Sequence, residues 1–196
     1  YIYNGDPNQY ADNYWNTVDA HRLAGITTDH SAFPIANWGN YTGNGNLNGG
    51  SSVGPFATVS MNFKNYKTAE NPNLQARKSW FVFDDEIVAL GMGITGIDTD
   101  RTTETIVENK KINGDNELII DGKKQSNKIN NKTEEMQDVN WAWLEGNTEN
   151  DAMGYYFPEG SKLNVLREER TGSWADINGS KGIKDQKVTR NYLSLA

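Results

Sequence analysis

The sequence predicts an all-β protein, a large antiparallel β-sandwich with long Asn/Gly-rich loops. Three observations carry this. Short runs of aromatic and β-branched residues recur along the chain, each bounded by polar turns. No stretch sustains the apolar period of a helix. Residues 78–93, Lys-Ser-Trp-Phe-Val-Phe-Asp-Asp-Glu-Ile-Val-Ala-Leu-Gly-Met-Gly, place two apolar runs on either side of three consecutive carboxylates. That pattern reads as two strands with a tight reversal. Both runs are apolar at adjacent positions, so both faces of these strands are expected to be covered.

The totals are consistent with a sizeable core. The chain has 196 residues, 36% hydrophobic and 11% aromatic, enough for one large all-β domain or two smaller ones. There is no Cys, hence no disulfide and no thiol chemistry. The net charge is −7 at pH 7 and no basic patch stands out, which argues against nucleic acid. Lys123, Lys124 and the cations of 181–187 read as solvated surface charge. No run approaches the roughly 18 apolar residues of a membrane helix, and no signal peptide opens the chain. The first residue is Tyr1 and the last strand-like run stops at Ala196, so the chain reads as a piece of a longer polypeptide.

The elements follow in order. Residues 1–5 begin as a strand and end in an Asn-Gly turn. Residues 6–15 read as a short helical turn opened by Asp6-Pro7, and 16–30 as a polar loop. The Asn/Gly-rich run 37–54 reads as one long surface loop. Residues 56–66 alternate, with Val59, Met61 and Phe63 on one side, as a half-buried strand does. Asn71-Pro72-Asn73 reads as a turn, and the hairpin 80–90 follows. Further strands are expected at 102–111, 117–121, 139–144, 153–157, 162–169 and 188–195, with 123–138 a charged loop.

Several residues invite a functional reading. His21 and His30, the two histidines of the chain, stand beside Asp19 and Asp29. Zinc would want about three or four ligands at regular spacing, which these lack, so a structural loop is the favoured reading. Trp38 and Tyr41 stand in the Asn/Gly-rich loop and are candidate sugar-stacking residues, although aromatics also pack beneath such loops. Trp141 and Trp143 share one face of a strand and read as core rather than as a stacking platform.

Residues 78–91 closely resemble the β-domain signature of family 8 polysaccharide lyases, the hyaluronate, chondroitin and xanthan lyases. Three other stretches resemble the family in order and spacing. They are Tyr-Trp-Asn-Thr-Val-Asp (14–19) through Leu-Ala-Gly-Ile-Thr-Thr (23–28), Thr-Glu-Thr-Ile-Val-Glu-Asn (103–109), and Gly-Tyr-Tyr-Phe-Pro (154–158) with Thr-Gly-Ser-Trp-Ala-Asp-Ile-Asn (171–178). The similarity covers nearly the whole chain. Ala24 departs from it, where relatives usually carry Pro.

The resemblance implies that residues 1–196 are the central β-sandwich, or supersandwich, of a larger secreted or cell-surface bacterial enzyme. It implies an α/α toroid upstream and cleavage of an acidic, uronic-acid-containing polysaccharide by β-elimination. In the family an Asn neutralises the uronate carboxylate, a Tyr assisted by a His moves the C5 proton, and an Arg helps bind. Those four residues lie on the toroid, so no catalytic residue carries onto this chain, which is expected to be inactive alone. No cofactor is required for the chemistry. Some xanthan-type members hold calcium with paired Asp at the acidic hairpin, here Asp84 and Asp85; the alternative is a hydrogen-bonded acidic turn. Some chondroitin-type members use carboxylates in the loop matching Asp19 and Asp29, but His21 stands here where a carboxylate is expected. The competing function is a non-catalytic carbohydrate-binding or purely structural β-sandwich module.

Overall fold

Strands dominate the computed structural model, which describes residues 5–30, 47–68, 71–96, 100–178 and 182–196. In chain order the elements are α1 (Tyr14–Thr17), a 3-10 turn (Ala20–Arg22), β1 (Thr27–Thr28), β2 (Asn48–Val53), β3 (Phe56–Thr68), β4 (Asn71–Phe83), β5 (Glu86–Gly96), β6 (Glu104–Thr105), β7 (Glu108–Ile112), β8 (Leu118–Ile120), β9 (Lys123–Lys124), β10 (Thr133–Leu144), β11 (Met153–Gly172), α2 (Trp174–Ile177) and β12 (Val188–Leu195). The chain divides into two units, one made of 27–104 and the other of 1–26 with 105–196.

Unit 27–104 is built on a four-stranded antiparallel sheet in the order β2-β3-β4-β5. The expected hairpin is present. Phe83 pairs with Glu86 and Val82 with Ile87, so Asp84 and Asp85 form a two-residue turn. Two expectations fail here. Residues 71–73 belong to β4 rather than a turn. Part of the Asn/Gly-rich run is strand β2, and its glycine composition is what permits this. A Cβ on Gly50 would lie 2.5 Å from the Thr58 carbonyl oxygen of the neighbouring strand. The predicted covering of both hairpin faces also differs for its second strand. All of β5 is exposed, with Ile87, Leu90 and Met92 at 53, 56 and 63%.

The other unit carries a six-stranded antiparallel sheet in the order β7-β12-β11-β10-β8-β9. One face holds the core: Leu118, Leu144, Leu163, Leu193 and Leu195 are fully buried around Ala142 and Val165. Truncating any of these leucines to alanine removes about 2–5 kcal/mol. Charged residues hid the start of β10. Thr133, Glu134 and Glu135 pair with Leu166, Val165 and Asn164 inside the segment expected to be a loop. Their exposed face explains the polar composition. β11 is one strand of 20 residues where two were expected, because a register irregularity interrupts its apolar pattern.

The strand that sequence explains least is β7. Its residues Glu-Asn-Lys-Lys-Ile are all buried. It lies at the edge of the sheet, and neighbouring segments supply partners to its charged side chains. Lys111 Nζ donates to the carbonyls of Asn8 at 2.8 Å and Ala11 at 2.9 Å. Tyr155 donates its phenol to Glu108 Oε2 at 2.5 Å. Covering an edge in this way blocks pairing with another chain.

A small second cluster, Tyr14, Val18 and Tyr192, anchors α1. The Tyr192 hydroxyl lies 2.7 Å from Thr17 Oγ1 and donates to the Tyr14 carbonyl at 3.2 Å. Gly172 lets this approach happen, since a Cβ there would sit 1.8 Å from the Asn16 carbonyl oxygen.

Candidate functional site

The polar residues of unit 27–104 gather where β1 ends. Thr28 Oγ1 accepts from the backbone N–H of His30, whose φ is 56°. That left-handed conformation turns the imidazole toward Glu104, and Nε2 lies 2.7 Å from Oε1. Asp29 is buried with its Oδ2 3.8 Å from Arg101 Nη1. Lys78, from the opening of the signature stretch, is buried. Its Nζ donates to Thr27 Oγ1 at 3.1 Å and lies 5.5 Å above the Trp80 ring. Burial holds this ammonium below its ordinary pKa.

These groups are paired in ways that hold the local backbone. The partner of His30 is Glu104, 74 residues away, and spacing alone could not have found it. His21 lies in the other unit. There Asp19 caps the 3-10 turn by accepting from the His21 N–H at 2.9 Å, and it receives Arg170 Nη1 at 3.5 Å.

The remaining sequence candidates are placed as follows. Trp38 and Tyr41 lie outside the described residues. Asp84 and Asp85 are exposed at the hairpin turn. Calcium takes roughly six to eight oxygens, and two carboxylates fall short of that. Among the described residues no group of three or more His, Asp or Glu could hold a metal ion. Also among the described residues, no helix is long and apolar enough to cross a membrane.

Two aromatic features of the other unit went unread in the sequence. An open cavity of about 610 Å³ is lined by Trp174, Asn178, Lys184 and Gln186 among others. Trp141, expected in the core, is 40% exposed and stands directly opposite Tyr156, which is 74% exposed. The reason is a break in the strand register. Val139 is 2% exposed and two residues before Trp141, so unbroken alternation would bury both. The register shifts between them, and Trp141 turns outward.

Comparison with known proteins fits these observations. The model of the polysaccharide lyase family 8 super-sandwich domain matches residues 1–196. The chain is 43% identical over 198 residues to a xanthan lyase of Bacillus sp. (strain GL1), covering 100% of this chain and 20% of that protein. It is 34% identical over 196 residues to a hyaluronate lyase of Staphylococcus aureus, covering 100% of this chain and 23% of that one. The solved xanthan lyase of Paenibacillus superposes with a TM-score of 0.80 at 37% identity, covering 97% of this chain and 18% of that structure. A chondroitin AC lyase of Streptomyces coelicolor A3, in complex with chondroitin sulphate, superposes at 0.73 with 31% identity over 100% of this chain and 23% of that structure. The chain thus spans about a fifth of the length of the relatives it matches. It belongs to polysaccharide lyase family 8, and what it comprises is that family's super-sandwich domain.

Proposed function

We propose that the chain is the β-sandwich portion of a secreted bacterial polysaccharide lyase. The substrate is an acidic polysaccharide containing uronic acid, of the hyaluronan, chondroitin or xanthan class. The observation that carries this is the match of the whole chain to one part of much longer proteins named for those substrates. In the reaction a neutralised uronate carboxylate acidifies C5. A base removes the C5 proton, the C4–O bond breaks, the departing oxygen is protonated, and a C4–C5 double bond remains. An α/α toroid elsewhere in the polypeptide supplies the Asn, His, Tyr and Arg for these steps. The present chain supports the toroid and forms one wall of the cleft.

The exposed β2–β5 sheet supports this role. Ile87, Leu90, Met92 and Ile94 stand in water on a single edge strand. By strand alternation Leu90 and Met92 lie on one face and Ile87 on the other, so both faces of this strand present apolar side chains. Exposed apolar surface of that kind marks an interaction face.

The test compares the full polypeptide with the isolated 196-residue chain. Ultraviolet absorbance of the unsaturated uronate is measured on hyaluronan, chondroitin and xanthan. The full polypeptide should generate it and the isolated chain should not. Activity in the isolated chain would overturn the assignment of the chemistry to the toroid.

A further inference from the structure

We infer that the outer face of the six-stranded sheet carries a non-catalytic sugar-binding platform built on Trp141 and Tyr156. The inference goes beyond the lyase reading and takes from it only the class of ligand, a chain of pyranose units.

Trp141 and Tyr156 are directly opposite one another on β10 and β11. Opposed residues of an antiparallel pair stand about 5 Å apart at Cβ, so two aromatic side chains leave the sheet from adjoining positions. Both are exposed. The placement of Trp141 is built rather than incidental. Asp121 Oδ1 accepts the N–H groups of both Asn140 and Trp141 at 3.1 Å, and the Asp121 N–H donates to the Trp141 carbonyl at 3.1 Å. One residue therefore clamps both backbone groups of Trp141 where the ladder from β8 to β10 ends at Ala142. With that clamp in place both backbone groups of Trp141 are held and the indole stands outward.

The next row of the same face continues the surface. Trp143 pairs with Gly154, and the space a Cβ would take on Gly154 is open. A step thus lies beside the two rings. The setting differs from the aliphatic β5 strand. Asn140 is exposed between Trp141 and the turn, and Lys124, ion-paired to Glu117, shares the face through its pairing with Ile119. Isolated aromatic rings among polar groups suit a ligand with apolar C–H faces and hydroxyl edges. A protein partner of the size needed for stable docking would call for a continuous apolar surface, which this face lacks.

The test uses the full polypeptide that contains this chain. Retention on immobilised hyaluronan, chondroitin and xanthan is measured in the cold, where turnover is slow. The variants are Trp141→Ala, Tyr156→Ala, the double variant, and Trp174→Ala as an exposed tryptophan from the cavity. Each platform substitution should weaken retention roughly threefold to tenfold on at least one polymer. Tyr156→Phe should retain it, and Trp174→Ala should bind as wild type. Wild-type retention by the double variant, or a loss confined to Trp174→Ala, would overturn the proposal. So would a fall in melting temperature of both single variants that tracks the lost retention, since that indicates a packing role. A polypeptide that is retained but forms no unsaturated product would refute the lyase reading and leave the platform supported.

Discussion

Lys110 Nζ lies 2.8 Å from Asp151 Oδ2, and neither side chain has any exposed surface. The ammonium also donates to the Asp151 carbonyl at 2.9 Å, and the carboxylate accepts the Asn147 N–H at 3.1 Å. The pair therefore ties β7 to the loop before β11. Removing one partner strands a buried charge, which typically costs about 3–5 kcal/mol. Lys110→Met and Asp151→Asn should each lower stability by that order in chemical denaturation. Lys110→Met with Asp151→Leu should cost less than the sum of the single changes by at least about 1 kcal/mol. Strict additivity would show that the two side chains are not coupled.

Gly172→Ala tests the fit of α1 against β11. The new methyl would meet the Asn16 carbonyl oxygen, a backbone atom that cannot rotate away. We expect a loss of about 3 kcal/mol or more, at the upper end of overpacking costs. Thermal unfolding measures it, and an unchanged melting temperature would show that α1 can move aside.

Alkaline pH should destabilise the unit that holds Tyr14 and Tyr192. Burial raises both phenols above their ordinary value of 10.0, with Tyr192 reaching about 12. A raised pKa favours the protonated form in the folded state. The stabilisation is thus complete below about pH 10 and is lost as pH rises toward about 12. Lys78 and Lys111 act in the opposite sense. Burial lowers their pKa, so the cost of holding them charged is relieved as pH rises toward 10.5. Urea midpoints across this range should fall for wild type, and the fall should be shallower in Tyr192→Phe. Identical slopes in both proteins would remove Tyr192 from the account.

Asp84 and Asp85 should bind calcium weakly if at all. Two exposed carboxylates on a turn predict a dissociation constant on the order of millimolar or weaker. Calorimetric titration checks this, with Asp84→Asn/Asp85→Asn as the control. Micromolar binding that disappears in that variant would show that further oxygens reach the turn from beyond the described residues.

The hairpin was legible because its signals are local. Two apolar runs and a polar pair between them specify strands and a tight reversal, and Phe83 indeed pairs with Glu86. The β2 and β10 strands were illegible for a matching reason. Gly50 suits close backbone approach and Glu134 suits an exposed face, so neither advertises a strand. The same limit applied to Lys110. A lysine reads as surface until the partner that buries it, 41 residues away, is known.

By itself the sequence determined the all-β class, the central hairpin with an acidic turn, and membership in a lyase family through motifs along its length. Alternation along a strand establishes which side chains share a face, and that is a property of the local backbone. Which face is covered depends on residues far away in the chain. So tertiary structure alone decided that β5 is exposed, that the charged strand β7 is buried, and that Trp141 faces water. The last needed a carboxylate from a hairpin about 20 residues earlier to hold a break in register, and such a break interrupts the alternation on which any reading of a strand relies.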